Sequence, residues 1–364
     1  MAPQSLLDRL EKLCNVDVDD PSTDVIRGLP FTPHNQTSNH AFITNEMIKP
    51  ENSALLKELT LKYGSQGWEK VYDMAGVYLC ARNVPYISGC VLLQISLRYV
   101  NDKEAMIRSC RSLAAAFEEQ GVSRDRFAFK LPFSGSAASA AKELNAEGLR
   151  TLATAVFSLE QGIAASQSGC LFISPYFNEL AAHLDASLRR DYNDTALENP
   201  MSSRVVQILE AYTKAYAETG KEQPIMIIAS HFKSDEIMAM AELGCQHVTI
   251  SAPCLQALME TPDTLPPVTT PKPEHPYASL TTPERLKALS KKDELAGPEW
   301  DGVLANMDTD FVANGGAKLD EFLGTNAVAK KRFADATKFF LEMEEKGKKA
   351  IEEQMKALGV EEKN

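Results

Sequence analysis

The sequence predicts an α/β protein, a closed parallel (β/α)8 barrel followed by additional C-terminal helices. Three observations carry that expectation. Eight short strand-like segments, the second of them polar, alternate with helical segments between residues 16 and 251, which is the pattern of a parallel sheet with crossover helices. Successive apolar segments also carry a polar residue in an apolar setting: Asp17 or Asp19, Asn39, Gln94, Lys130, Thr154, Ser174 and Ser230. Finally, 364 residues suffice for one large barrel with extra helices, or for two domains.

Each element has its own signal. Residues 5–13 place Leu6, Leu7, Leu10 and Leu13 at helical spacing. Val16 and Val18 alternate with Asp17 and Asp19, so a first strand would carry both carboxylates on one face. Residues 36–39 read as a polar second strand or strand end. Residues 51–63 and 68–81 are helical, and 90–96 form a strongly apolar third strand containing Gln94. A helix over 103–120 precedes the fourth strand, where Phe127, Phe129 and Leu131 alternate with smaller or polar neighbours and Lys130 sits inside the run. Ser134 or Ser136 can cap an alanine-rich helix that Gly148 ends. Residues 152–157, with Thr154, form the fifth strand. Helix 161–168, strand 170–175, helix 202–219, strand 225–230, helix 235–243 and strand 247–251 complete the alternation of a TIM barrel.

Beyond the barrel, residues 261–277 carry six prolines and little apolar content, a surface loop or linker. A short helix follows over 282–291. Residues 325–358 form a long charged helix, supported by Glu/Lys pairing, which packs on the barrel exterior or on another subunit; the second option would give a homodimer. The domain division expected is a catalytic barrel over 1–260, a proline-rich loop over 261–278, and a helical extension over 279–364 packed on the barrel.

Composition narrows the function. Hydrophobic residues make up 44% and charged residues 24%, with a formal net charge of −12. That charge argues against nucleic acid or an anionic membrane as the main partner, and an anionic substrate would need a local basic pocket. The seven cysteines have no CxxC spacing, which suggests buried thiols in a reducing compartment. The six histidines form no metal-binding motif, so no metal or cofactor is expected. No apolar run reaches membrane-spanning length and no signal-peptide pattern opens the chain, so the cytoplasm is expected.

Lys130 is the sharpest chemical signal. A lysine in a buried strand is costly when charged and loses its proton more easily, becoming a nucleophilic amine. Such amines form Schiff bases with carbonyl substrates. The plain alternative is a lysine that snorkels from a strand end into solvent.

Lys130-Leu-Pro, the spacing to Glu147-Gly148-Leu149, and Thr154-Ala-Val-Phe-Ser158 with Gln161 resemble the transaldolase family, which includes the fructose-6-phosphate aldolases. The resemblance continues through Ile173-Ser174-Pro175-Tyr176, Ala229-Ser230, Val248-Thr249-Ile250 and Phe311 to Leu319. It implies a Schiff-base enzyme with Lys130 as nucleophile, acting on a sugar or sugar-phosphate ketose and an aldehyde. A first-strand carboxylate, matched by Asp19 with Asp17 close behind, would take the C4 hydroxyl proton. Asn39 would hold substrate hydroxyls, with Thr154, Ser174 and Ser230 matching polar positions of the family.

Several positions depart from the family. Gln94 stands where transaldolases place a glutamate, and an amide can orient a water but cannot exchange a proton by ionising. Leu152 replaces an asparagine, and Tyr176 follows Ser-Pro where phenylalanine is usual. All three resemble the fructose-6-phosphate aldolase branch, and Tyr176 would supply a proton relay. Glu179 occupies the place of a phosphate-binding arginine, with Lys233 as a compensating charge.

Three readings stay open. One is a transaldolase of the pentose phosphate type. The second is a dihydroxyacetone aldolase, including one acting on a specialised small aldehyde. The third is a catalytically silent barrel kept as an interaction subunit.

Overall fold

The computed structural model describes residues 4–269, 272–297 and 300–363. Eight strands close into one barrel in chain order: β1 (Asn15–Asp19), β2 (Gln36–Thr37), β3 (Val91–Gln94), β4 (Phe127–Pro132), β5 (Thr151–Val156), β6 (Phe172–Pro175), β7 (Ile225–Ile228) and β8 (His247–Ile250). Every pairing is parallel, and β1 meets β8 with Asp17 opposite Thr249. Gln94 and Leu152 flank Lys130 in register on the neighbouring strands.

The barrel interior is a packed core. Cys90, Leu92, Ala128, Leu152, Phe172 and Ile227 form one apolar layer inside it. Residues two apart on a strand share a face. Gln94, Lys130, Thr154 and Ser174 therefore also face inward, one step nearer the carboxyl ends. A buried polar cluster joins β1, β8 and the chain before β2. There Asp17 accepts hydrogen bonds from the backbone N and Nδ2 of Asn35, both at 2.9 Å, and lies 3.0 Å from His247 Nδ1.

Three expectations need correction. The second strand ends at Thr37, because Asn39 caps a helix (His40–Met47) that the sequence reading left out. The proline-rich segment does more than cover the surface. Its Tyr277 is 1% exposed and donates a hydrogen bond to the carbonyl of Pro224. Lys272 Nζ reaches Glu11 and Asn15, each at 2.7 Å, and ties the segment to the start of β1. Within that segment, Thr270 and Pro271 lie outside the described residues, as do Pro298 and Glu299 of the expected helical extension, Asn364 at its end and residues 1–3 of the expected barrel.

The third correction concerns the C-terminal helices. The segment around Asn314, Gly315 and Gly316 is left-handed at all three residues. Gly316 packs so closely on Gly135, at the start of the helix after β4, that a Cβ on either would fall 2.2 Å from the other's backbone oxygen. Asp320 Oδ1 accepts from the Gly135 N–H at 2.7 Å. The long helix (Ala327–Leu358) then crosses above the strands and packs on the outer helices Ser53–Tyr63 and Trp68–Ala81. Thr44 Oγ1 donates to the carbonyl of Met343 at 2.9 Å, and Ser96 Oγ donates to Glu344 at 3.0 Å. The helix thus crosses loops at the carboxyl ends of the strands and is not confined to the barrel exterior. Among the described residues, no helix is long and apolar enough to cross a membrane.

Candidate active site

The carboxyl ends of the strands open into a cavity of about 450 Å³. Lys130 enters it from β4 and is itself 3% exposed. Its Nζ makes no hydrogen bond or ion pair within the described residues. Burial pushes its pKa down, opposed by the attraction of Asp19 and by Cys80. A fixed, partly desolvated amine is what carbonyl addition needs.

The structure separates the two carboxylates of β1. Asp17 is fully buried and committed to Asn35 and His247. Asp19, two residues nearer the carboxyl end, lines the cavity. Thr37 Oγ1 holds it at 2.6 Å, and the same hydroxyl lies 2.6 Å from Thr249 Oγ1.

Asn39, Tyr176 and Ser230 also line the cavity. The Oδ1 of Asn39 is occupied by the backbone N–H groups of Ala41 and Phe42, at 2.9 and 3.1 Å. Only its NH₂ end is left to donate outward. Ser230 is left-handed at φ 69°, donates to the Asn178 carbonyl at 2.8 Å, and sits 2.9 Å from His183 Nε2. The Tyr176 hydroxyl is bonded to Thr154 at 3.2 Å, and burial raises its pKa, so the phenol keeps its proton.

Gln94, Thr154 and Ser174 are buried inside the barrel but do not line the cavity. Gln94 Nε2 is 3.2 Å from His40 Nδ1, and its Oε1 has no protein partner. His40 is stacked on Tyr72 and pushed down to a pKa of about 3 by burial, helped by Arg98 and Lys130. It is therefore a neutral acceptor for the Gln94 amide. Lys233 turns away from the cavity and pairs with Asp191 at 2.5 Å and Asp235 at 3.6 Å. Glu179 does not line the cavity either; it faces Lys331 of the C-terminal helix at 3.5 Å.

Sequence reasoning missed several lining groups. His231 is buried, is pushed to about 3 by burial, and has an Nδ1 with no partner. Arg189 lies 4.4 Å over the Phe232 ring and donates through Nε to the Ala182 carbonyl at 3.0 Å. Phe339 and Phe340 come from the C-terminal helix. No local signal marks them, since neighbouring residues on a helix can share one apolar stripe, as Phe339 and Phe340 do beside Tyr176 and Leu180. Among the described residues no three His, Cys, Asp or Glu side chains gather as a metal site, and all seven thiols are free and buried.

A family model described as transaldolase/fructose-6-phosphate aldolase matches residues 18–314. The chain is 27% identical over 299 residues to a transaldolase of Rhizobium etli (strain CFN 42), covering 80% of this chain and 90% of that one. It is 28% identical over 273 residues to a transaldolase of Homo sapiens, covering 73% and 78%. A transaldolase of Aeromonas salmonicida is 26% identical over 262 residues, covering 70% and 79%.

Proposed function

The chain belongs to the transaldolase/fructose-6-phosphate aldolase family, and from that premise we propose that it moves a dihydroxyacetone unit from a ketose to an aldehyde through a Schiff base on Lys130. The observation that carries this is the Lys130 amine, buried, depressed in pKa and open only to the cavity it shares with Asp19.

The amine adds to the ketose C2 carbonyl and water leaves, giving an iminium. Asp19 takes the C4 hydroxyl proton, the C3–C4 bond breaks, and an aldehyde departs. The electron pair rests in an enamine on Lys130. A second aldehyde adds at the enamine carbon, and water hydrolyses the new imine. Gln94 orients water in the carbinolamine steps, with its amide held by His40. The NH₂ of Asn39 and the hydroxyl of Ser230 hold substrate hydroxyls. Tyr176, protonated and bonded to Thr154, is the acid for steps that return a proton.

Ketose and aldehyde substrates, as sugars or sugar phosphates, fit this chemistry. A free, buried thiol set supports a cytoplasmic setting. The homodimer expectation rests on the length of the C-terminal helix, and sedimentation checks it. The open cavity around Lys130 argues against a silent barrel. Borohydride added during incubation with ketoses should trap an adduct on Lys130, and Lys130→Met should abolish it. An adduct on another lysine, or none with any ketose, overturns the proposal.

A further inference from the structure

The walls of the cavity differ in chemistry. Asp19, Lys130 and Thr249 stand on or at the ends of strands. Facing them, from loops and helices above the strands, are Phe42, Leu180, Phe232, Phe339 and Phe340. Nothing in a three-carbon dihydroxyacetone unit calls for five large apolar side chains. They surround the space beyond it, where the aldehyde half must sit.

The charges nearby point the same way. A phosphate dianion needs donors that are free when it arrives. Lys233 is held by Asp191 and Asp235, and Lys331 by Glu179 and Asp335, the last at 2.8 Å. Neither lysine lines the cavity. Arg189 does, with its guanidinium stacked on Phe232 and its Nε given to a backbone carbonyl. Placing a doubly charged group among the phenylalanines would strip its water for little return.

We infer that the aldehyde partner of this enzyme carries an unphosphorylated apolar substituent, aromatic or branched aliphatic, received by the wall that Phe339 and Phe340 complete. This rests on the Lys130 reading above. The reaction with free dihydroxyacetone balances without another reagent. Lys130 condenses with the ketone and releases water, and a base removes a proton to give the enamine. The enamine carbon bonds to the aldehyde carbon, whose oxygen takes up a proton. One water then frees the ketose product and restores the amine.

The test charges the enzyme with dihydroxyacetone and first measures the borohydride-trapped adduct. Phenylacetaldehyde and glyceraldehyde 3-phosphate are then compared as acceptors by kcat/KM. The expected result is at least a tenfold preference for phenylacetaldehyde. Phe339→Ser should reduce that ratio by about tenfold, the scale of discrimination in apolar pockets. A ratio within one enzyme does not depend on the folded fraction, so loss of stability cannot imitate the effect. Phe232→Ser gives a second reading of the same wall.

Parity or a preference for the phosphorylated aldehyde overturns the inference, and Arg189→Ala then reports whether that arginine holds the phosphate. A preference that survives unchanged in both Phe339→Ser and Phe232→Ser overturns it too. If no adduct is trapped, the Schiff-base reading falls and this inference falls with it; an adduct with the wrong acceptor preference removes only this inference.

Discussion

The hydroxyls of Thr154 and Tyr176 stand 3.2 Å apart, and of the two only Tyr176 reaches the cavity. The ring of Tyr176 is held edge-on against Phe157, with centroids 5.6 Å apart. A phenol fixed in this way, with its proton retained, can return that proton to an enamine carbon. Tyr176→Phe should therefore reduce release of free dihydroxyacetone about a hundredfold, while transfer to an added aldehyde falls less. An unchanged ratio of release to transfer would leave Tyr176 a packing residue.

Lys130→Met should stabilise the fold while removing activity. The folded pKa of Lys130 lies below its unfolded value. Below the unfolded pKa the unfolded chain binds a proton that the folded one holds less readily, so stability rises with pH through that window. Each unit of depression costs about 1.4 kcal/mol. Melts of wild type and Lys130→Met across pH should show the variant higher at neutral pH, with the gap closing as the pH becomes alkaline. A variant that is less stable at every pH contradicts this.

Asp17 and Asp19 should fail in different ways. Asp19→Asn is expected to lower kcat by about 10²–10⁴ with near-normal melting. Asp17→Asn breaks a buried pair with His247 and is expected to cost about 3 kcal/mol, with the activity of the remaining folded protein less affected. Denaturant midpoints and active-site titration by trapping separate the two effects.

His40 should make the protein acid-sensitive. Its folded pKa is about 3, against 6.5 when free. Between those values the unfolded chain binds the extra proton, so stability falls with acid by about 1.4 kcal/mol per pH unit from this residue. His40→Gln should lose less stability than wild type between pH 6 and 4. An equal loss of unfolding free energy between the two pH values in wild type and variant, read from urea titrations, would remove His40 as a contributor.

Discrimination between fructose 6-phosphate and fructose should stay below about a thousandfold, roughly 4 kcal/mol. The lysines that flank the cavity are already paired, and Arg189→Ala should change this discrimination more than Lys233→Ala. Ratios of kcat/KM for the two donors provide the measurement.

The barrel was legible because its signal is repetitive. Most of the strands carry an apolar run or alternation, although β2 is a polar pair, and Lys130 and Gln94 stood out as polar residues within such runs. Asp19 could not be told from Asp17, since both share one strand face; only the partners Asn35 and His247 separate them. Lys233 was misplaced as well. Its amine pairs with Asp191, 42 residues earlier, and with Asp235, and the first of these contacts leaves no mark in the local sequence. Phe339 and Phe340 depend on where a helix nearly two hundred residues beyond β4 comes to rest. Local periodicity carries no information about that.

The C-terminal helix follows the barrel in chain order, yet it supplies part of the cavity wall. During synthesis β1 to β8 emerge from the ribosome before residues 327–358, so Lys130 and Asp19 meet while the chamber still lacks Phe339 and Phe340. A barrel at that stage presents the Lys130 amine without the two phenylalanines beside it. Arrival of the helix, anchored near the close contact of Gly316 with Gly135, adds Phe339 and Phe340 to the wall. The interval between the two events is set by translation speed.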